Sequence, residues 1–201
     1  MIKKLYIGLD PDIKNLTAAI ITDEKVPLAV FMRRNKSKAT DDMQIADTAR
    51  CAYKLVEDVK LYISTILVSL DPECTVVTVV ESQNIMQAIK MRENGKNVRP
   101  EDIRRLAQVA GQLMGTFSYL SDKLILVQAI HWKGTKPKHV CHKRTYTALN
   151  LVPDPEKRVL PIYPLNKDEL CQYSAEKINM GDFMDINDSL GLALYGANKN
   201  L

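Results

Sequence analysis

Four acidic side chains stand at points of the sequence from which they can reach one another. Asp10 closes an apolar segment at residues 2–9, and Glu81 closes the run Thr75-Val76-Val77-Thr78-Val79-Val80. Asp185 and Asp188 lie three apart near the carboxyl end. If the first and fourth strands are parallel neighbours, Asp10 and Glu81 emerge at the same carboxyl edge, where open α/β sheets bind ligands. Residues three apart share a helical face, so Asp185 and Asp188 can point at one target if their helix crosses that edge. Carboxylates gathered this closely repel, and burial drives some to protonate unless cations compensate. Two divalent ions balance four negative charges. Oxygen-only ligands suit Mg²⁺, with Mn²⁺ able to substitute. A pair of such ions about 4 Å apart can activate water and stabilise a leaving alkoxide in phosphoryl transfer. The expected site is nuclease-like.

Taken singly, each acid has a plainer reading. A strand-end Asp or Glu is ordinarily a turn or surface residue, and Asp185 with Asp188 can be first-turn acids favoured by the helix dipole. Asp182, three residues before Asp185, most simply caps the helix. Asp12 follows Asp10 in the turn and either approaches the cations or faces water.

Bases are sorted away from these acids. Residues 131–144 hold five Lys or Arg, three His and no acid, whereas residues 182–188 hold three Asp and no base. Lys133, Lys136, Lys138, Lys143 and Arg144 can hold phosphates beside the acids, since phosphate contacts position DNA without reading its sequence; the alternative is a solvated basic segment. Trp132, the sole tryptophan, either stacks on a base or anchors its loop in the core. His139 and His142 share a helical face and either assist water activation or sit at the surface. Lys90, Arg92, Lys96 and Arg99 fall in a polar, Gly-containing stretch that suits a DNA-contacting loop. Arg33, Arg34, Lys36 and Lys38 form a further cluster that touches DNA or solvates a turn.

The elements that must position these groups are legible in outline. Residues 2–9, 16–22 and 26–32 are short and β-rich, a three-strand antiparallel meander. From Asp41 onward, apolar residues from Ile45 to Leu70 recur at three- and four-residue intervals, one face of a long helix stopped at Asp71-Pro72. The β-branched run at residues 75–80 reads as a buried central strand. A second helix starts near Pro100, a fifth strand covers 124–130, and a helix runs from Thr135-Lys136-Pro137 to about Leu149. A last helix spans Asp182 to about Gly196. The fold class expected is α/β, a mixed five-stranded sheet in βββαβαβα order with helices on both faces. Gly111 and Gly115 each cost a helix about 1 kcal/mol relative to Ala, which asks for close approach of the sheet beneath or of a second subunit.

Composition narrows the class. A chain of 201 residues that is 46% hydrophobic suffices for one domain with a buried core and not for two full-sized ones. No stretch is long and apolar enough to span a membrane, and Met1-Ile2-Lys3-Lys4 leads directly into a strand pattern rather than a secretion signal. Cys51, Cys74, Cys141 and Cys171 form no C-x-x-C pair and read as buried free thiols. A net charge of +4 does not by itself point to a polyanion partner.

Gly8-Leu9-Asp10-Pro11 followed by an apolar strand, the strand end Val79-Val80-Glu81, and Asp185-Ile186-Asn187-Asp188-Ser189-Leu190 together resemble the RuvC-type Holliday junction resolvases of the RNase H-like superfamily. The resemblance spans the chain and includes the small-residue helix Ala110-Gly111-Gln112-Leu113-Met114-Gly115. It implies a Mg²⁺-dependent homodimeric endonuclease of recombination and repair that nicks four-way DNA junctions, with Asp10, Glu81, Asp185 and Asp188 as metal ligands. It also implies a single nuclease domain over 1–201 and a cytoplasmic location in a prokaryotic or phage-infected cell. Three departures stand out. Asp12 replaces the family's usual Gly, and Asn84, beside Ile85 and Met86, stands where an aromatic often stacks. Extra sequence at 150–181, with Pro153, Pro155, Pro161 and Pro164, reads as a family-divergent insertion of a phage-type branch.

Other readings remain open: a nuclease of this fold on other branched DNA or RNA-DNA hybrids, or a non-catalytic junction binder. The Gly-Leu-Asp-Pro hairpin also resembles the phosphate-binding hairpin of actin-like and sugar-kinase ATPases. Those need two such domains and a second phosphate loop, for which 201 residues leave no room.

Overall fold

The structure, a computed structural model, describes residues 1–35, 41–82, 100–151 and 180–201. Five strands form one sheet in the order β3-β2-β1-β4-β5: β1 Ile2–Pro11, β2 Asn15–Thr22, β3 Pro27–Arg34, β4 Leu70–Ser82 and β5 Lys123–Gln128. β1, β2 and β3 are an antiparallel meander, while β4 runs parallel to β1 and β5 parallel to β4. The helices are α1 Asp41–Thr65, α2 Pro100–Phe117, the short α3 Ala129–Trp132, α4 Lys138–Ala148 and α5 Met180–Lys199. The expected mixed sheet with helices on both faces is what forms.

Side-chain parity decides which face each residue joins. Leu5, Ile7 and Leu9 of β1 pack with Val76 and Val80 of β4 beneath α1 and α2, in a core that includes Leu55, Val59, Leu113 and Phe117. The intervening positions Tyr6, Val77 and Val79 face the other way, against Ile186, Leu190 and Ala193 of α5. With both faces covered, the central strands carry no polar alternation, which is why residues 75–80 are continuously apolar or β-branched. Gly8 has the parity of Tyr6 and lies under α5. A Cβ there would sit 2.0 Å from the Ser189 carbonyl oxygen and 2.4 Å from the Ala193 nitrogen, so only glycine lets the helix backbone settle this close to β1.

Several boundaries differ from expectation. α1 stops at Thr65, and Leu67–Ser69 form a single 3₁₀ turn rather than continuing the helix to Leu70. Asp71 and Pro72, expected to break the chain, lie inside β4. They fall where the β1–β4 register slips between Ile2↔Leu70 and Lys4↔Thr75, an irregularity in which a missing proline N–H costs no ladder bond. β5 ends at Gln128, two residues early, because the backbone turns into α3 there. Asp182, expected as a cap, is instead the third residue of α5.

Gly111 and Gly115 decide one of the two alternatives offered for them. A Cβ on either meets nothing within 4 Å, so the sheet does not approach them; both lie exposed on the outer side of α2. Among the cysteines, Cys141 is buried and Cys51 and Cys74 are half-buried, all as free thiols, and Cys171 lies outside the described residues. No helix among the described residues is long and apolar enough to cross a membrane.

Candidate active site

The parallel pairing of β1 and β4 does what the sequence pattern required. Leu9 is in register with Val80, so the next residues, Asp10 and Glu81, leave the sheet side by side at its carboxyl edge. Both have the parity of the α5 face, and both are buried. α5 crosses that edge. Thr17, paired with Asp10 on β2, donates its hydroxyl to the Asp185 carbonyl at 3.0 Å, and Asn15 Nδ2 donates to Asp185 Oδ2 at 3.1 Å. These bonds fix the second turn of the helix over the start of β2, leaving Asp185 half-buried and Asp188, three residues on, buried.

The segment after β5 closes the site. The Trp132 indole N–H donates to Glu81 Oε2 at 2.9 Å, with the ring seated against Gly191 of α5, where a Cβ would come within 2.3 Å of the ring carbon Cζ3. Lys133 Nζ lies 3.1 Å from Glu81 Oε2 and 3.1 Å from Asp188 Oδ2. Lys138 Nζ, from the first turn of α4, approaches Asp188 Oδ2 to 2.8 Å. His142, one turn further along α4 and buried, places Nε2 2.8 Å from Asp188 Oδ1.

The charges divide accordingly. Burial raises the Asp10 carboxyl well above the usual carboxylate range, reinforced by the negative charges of Asp188, Glu81 and Asp185; Lys133 works against them. Asp185 is also raised, chiefly by burial, although the Asn15 bond and Lys138 oppose it. Burial would raise Asp188 too, but the His142 hydrogen bond and the two lysines outweigh it and hold that carboxyl below its ordinary value. Burial alone would lower the Lys133 ammonium, yet Glu81, Asp188 and Asp10 overcome it and raise its pKa.

This donor set suits a divalent cation by one direct criterion. Asp10 is a buried carboxyl facing three other carboxylates, a concentration of negative charge that a divalent cation would offset. As the side chains stand, no group of three described His, Cys, Asp or Glu residues converges at metal-ligand spacing. The Lys133 ammonium lies between Glu81 and Asp188.

No family model and no curated protein matches this sequence. Solved structures do. The Thermus thermophilus RuvC in complex with a Holliday junction substrate matches with a TM-score of 0.55 at 12% identity, over 96% of this chain and 92% of that one. A second Thermus thermophilus RuvC structure matches with a TM-score of 0.52 at 11% identity, over 98% of this chain and 96% of that one. The chain has the RuvC fold. At such identity the likeness is one of architecture, and the residues must carry any functional reading.

Within this RuvC fold the remaining sequence-predicted residues separate. Lys136, Lys143 and Arg144 are exposed, as a phosphate-holding surface needs, but Lys133 and Lys138 turn inward onto the carboxylates. Of the two histidines expected on one face, His139 is exposed and His142 is buried against Asp188. Trp132 is an anchor, held between α5 and Glu81. Asp12 accepts a hydrogen bond from the Ile13 N–H at 2.6 Å in its own turn and adds negative charge near Asp185. Arg33 is committed to Asp58, with its Nε 2.6 Å from Oδ2. Lys36, Lys38, Asn84, Ile85, Met86, Lys90, Arg92, Lys96, Arg99 and the 152–179 stretch lie outside the described residues.

Sequence reasoning missed Asn15 and Thr17 outright. Each is an ordinary strand residue whose role exists only once α5 lies over β2. Lys133 and Trp132 were named for other contacts, and the signal for their reach to the acids was their place within five residues of the end of β5, where Val127 pairs with Glu81.

Proposed function

We propose that this chain is a divalent-metal-dependent endonuclease acting on branched DNA, with the four-way junction as its substrate. The observation carrying the reading is the side-by-side placement of Asp10 and Glu81 beneath Asp188, with Asp10 buried and its carboxyl raised by burial and by the charges of Asp188, Glu81 and Asp185. The RuvC fold supports it, because one such neighbour is a complex with a Holliday junction substrate. We read residues 1–201 as a single nuclease domain.

Asp10, Glu81, Asp185 and Asp188 would hold the metal, Mg²⁺ or Mn²⁺. Bound there, two such ions supply Lewis-acid activation of water and stabilise the leaving oxygen in phosphodiester hydrolysis. The chain's own residues prepare the site. Trp132 and Asn15 orient Glu81 and Asp185, His142 fixes one oxygen of Asp188, and the dense packing of α5 on β1 keeps the carboxylates from relaxing apart. Lys136, Lys143 and Arg144 present positive charge beside the site for the phosphate backbone.

Two active sites are needed to cut both strands of a two-fold junction, and a symmetric dimer provides them. The exposed glycines of α2, Gly111 and Gly115, supply a surface on which a second copy can pack closely.

Incubation of the purified protein with a synthetic immobile four-way junction, a flap, an RNA-DNA hybrid and a linear duplex, with and without Mg²⁺, tests the proposal. Metal-dependent paired nicks on the junction in preference to the others are expected. Junction binding without nicking under any Mg²⁺ or Mn²⁺ condition would make this a non-catalytic binder, and preference for the hybrid would reassign the substrate.

A further inference from the structure

We infer that Lys133 is a built-in counter-ion of the carboxylate site and that a divalent cation must displace its ammonium group to bind. This rests on the metal-dependent reading above and specifies how the metal is admitted.

Lys133 Nζ stands at the same distance, 3.1 Å, from oxygens of two carboxylates on different elements, Glu81 of β4 and Asp188 of α5. One positive charge thus already spans the two carboxylates. Oxygens bind Mg²⁺ at about 2.1 Å, closer than the ammonium stands to either carboxylate, so a metal held by Glu81 and Asp188 would leave no room for it. Like charge excludes it as well.

The side chain is built to leave while its backbone stays. Lys133 N donates to the Ala129 carbonyl at 2.8 Å, closing the turn of α3, and its own carbonyl accepts from Cys141 Sγ at 3.3 Å. Beyond Cα the side chain is a flexible four-carbon stem, held at its ammonium by the two ion pairs. Its side chain is 20% exposed, against 7% for Glu81 and 3% for Asp188, so it lies on the solvent side of the carboxylates it covers. A cleft of about 210 Å³ beside it, lined in part by Trp132, Arg144, Gly191 and Tyr195, gives the stem somewhere to go. Its Nζ also lies 4.5 Å from the centre of the Trp132 ring. Exchange of ammonium for metal therefore changes the surroundings of the only tryptophan in the chain.

The same exchange delivers the displaced charge. An ammonium released from Glu81 and Asp188 becomes available to an anionic substrate beside the metal, so the positive surface is completed only when the site is loaded.

The test is Mn²⁺ binding to the full chain without DNA, measured by calorimetry and Trp132 fluorescence in the wild type and in Lys133→Met. Alongside it, amine-reactive labelling of the wild type is read peptide by peptide, with exposed Lys143 as the control. Ten-fold or tighter Mn²⁺ binding by Lys133→Met is expected, as is a several-fold, Mn²⁺-dependent rise in Lys133 labelling with Lys143 unchanged. Equal or weaker Mn²⁺ binding by the variant overturns the inference but leaves the metal site standing. If the variant does not fold, the wild-type labelling decides, and Lys133 protection unaltered by saturating Mn²⁺ overturns it. No Mn²⁺ binding by either protein removes the metal reading itself.

Discussion

The indole nitrogen of Trp132 donates to Oε2 of Glu81 across 2.9 Å, tying the segment after β5 to the end of β4. A hydrogen bond to a carboxylate is worth about 1.5–3 kcal/mol, enough to set which way a strand-end side chain points. Trp132→Phe keeps an aromatic ring but removes the donor, together with part of the ring seated against Gly191. Its single-turnover nicking rate on a four-way junction is expected to fall about ten-fold, with junction affinity in the absence of divalent ions unchanged. Full activity in this variant would show that Glu81 needs no such support.

Gly8 and Gly191 are both filled by a neighbour, but by neighbours of different compliance. Gly191→Ala presses on the edge of the Trp132 ring, and overpacking of this kind costs about 1–3 kcal/mol. For a chain of this length each kcal/mol lowers Tm by about 2–4 °C. Gly8→Ala presses on α5 backbone at Ser189 and Ala193, which cannot rotate away, so its loss of Tm exceeds that of Gly191→Ala. Thermal unfolding followed by circular dichroism checks the order, and a reversed order would mean that α5 shifts easily over β1.

Asp10 sets a pH dependence. Its carboxyl is raised by burial and by the charges of Asp188 and Glu81, so without metal the folded chain binds this proton more tightly than the unfolded chain. Stability therefore falls as pH rises from the unfolded Asp value, about 3.9, through the raised folded value. Asp188, held low, acts oppositely: its contribution is present above about 3.9 and is lost as pH falls through its depressed value. Asp10→Asn removes the first effect. In EDTA at neutral pH the variant is expected to melt a few degrees above wild type, and Mn²⁺ should stabilise wild type much more than the variant. A lower Tm for Asp10→Asn would contradict the electrostatic account.

Asp188→Asn keeps the shape of a buried side chain and removes its charge. Nicking is expected to drop at least a hundred-fold with metal-free junction binding near normal, because the exposed bases are untouched. Gel-shift and cleavage assays on the same preparation separate the two. Normal cleavage would take Asp188 out of the site.

The inward lysines are separable from the outward ones by salt. Without divalent ions, Lys143→Ala and Arg144→Ala should each reduce the slope of log affinity against log salt by about 0.9 for every duplex phosphate that the variant no longer neutralises. Lys138→Ala should leave the slope as it is, because that ammonium is committed to Asp188. A slope reduced by Lys138→Ala and not by Lys143→Ala would invert the assignment.

Much of this arrangement was written in local pattern. The β-branched run ending in Glu81 needs cover on both faces, so β4 had to be central. The three-residue interval between Asp185 and Asp188 put both acids on one side of a helix before any neighbour was known. The resemblance to the RuvC-type resolvases drew on the same residues, and the fold it implied is the one that forms.

What local pattern does not carry is the partner of a charge. Lys133 and Lys143 belong to one basic stretch and look alike in sequence, yet one is drawn between Glu81 and Asp188 and the other faces solvent. His139 and His142 diverge in the same way. The difference arises because β5 ends beside β4 and α5 lies across both, which brings residues more than fifty positions apart within hydrogen-bond reach. Sequence determined which side chains carry charge and on which face of its own element each acid stands. Only the packing of α5 onto β1 and β2 decided which charges meet, since electrostatic energy depends on separation in space and not along the chain.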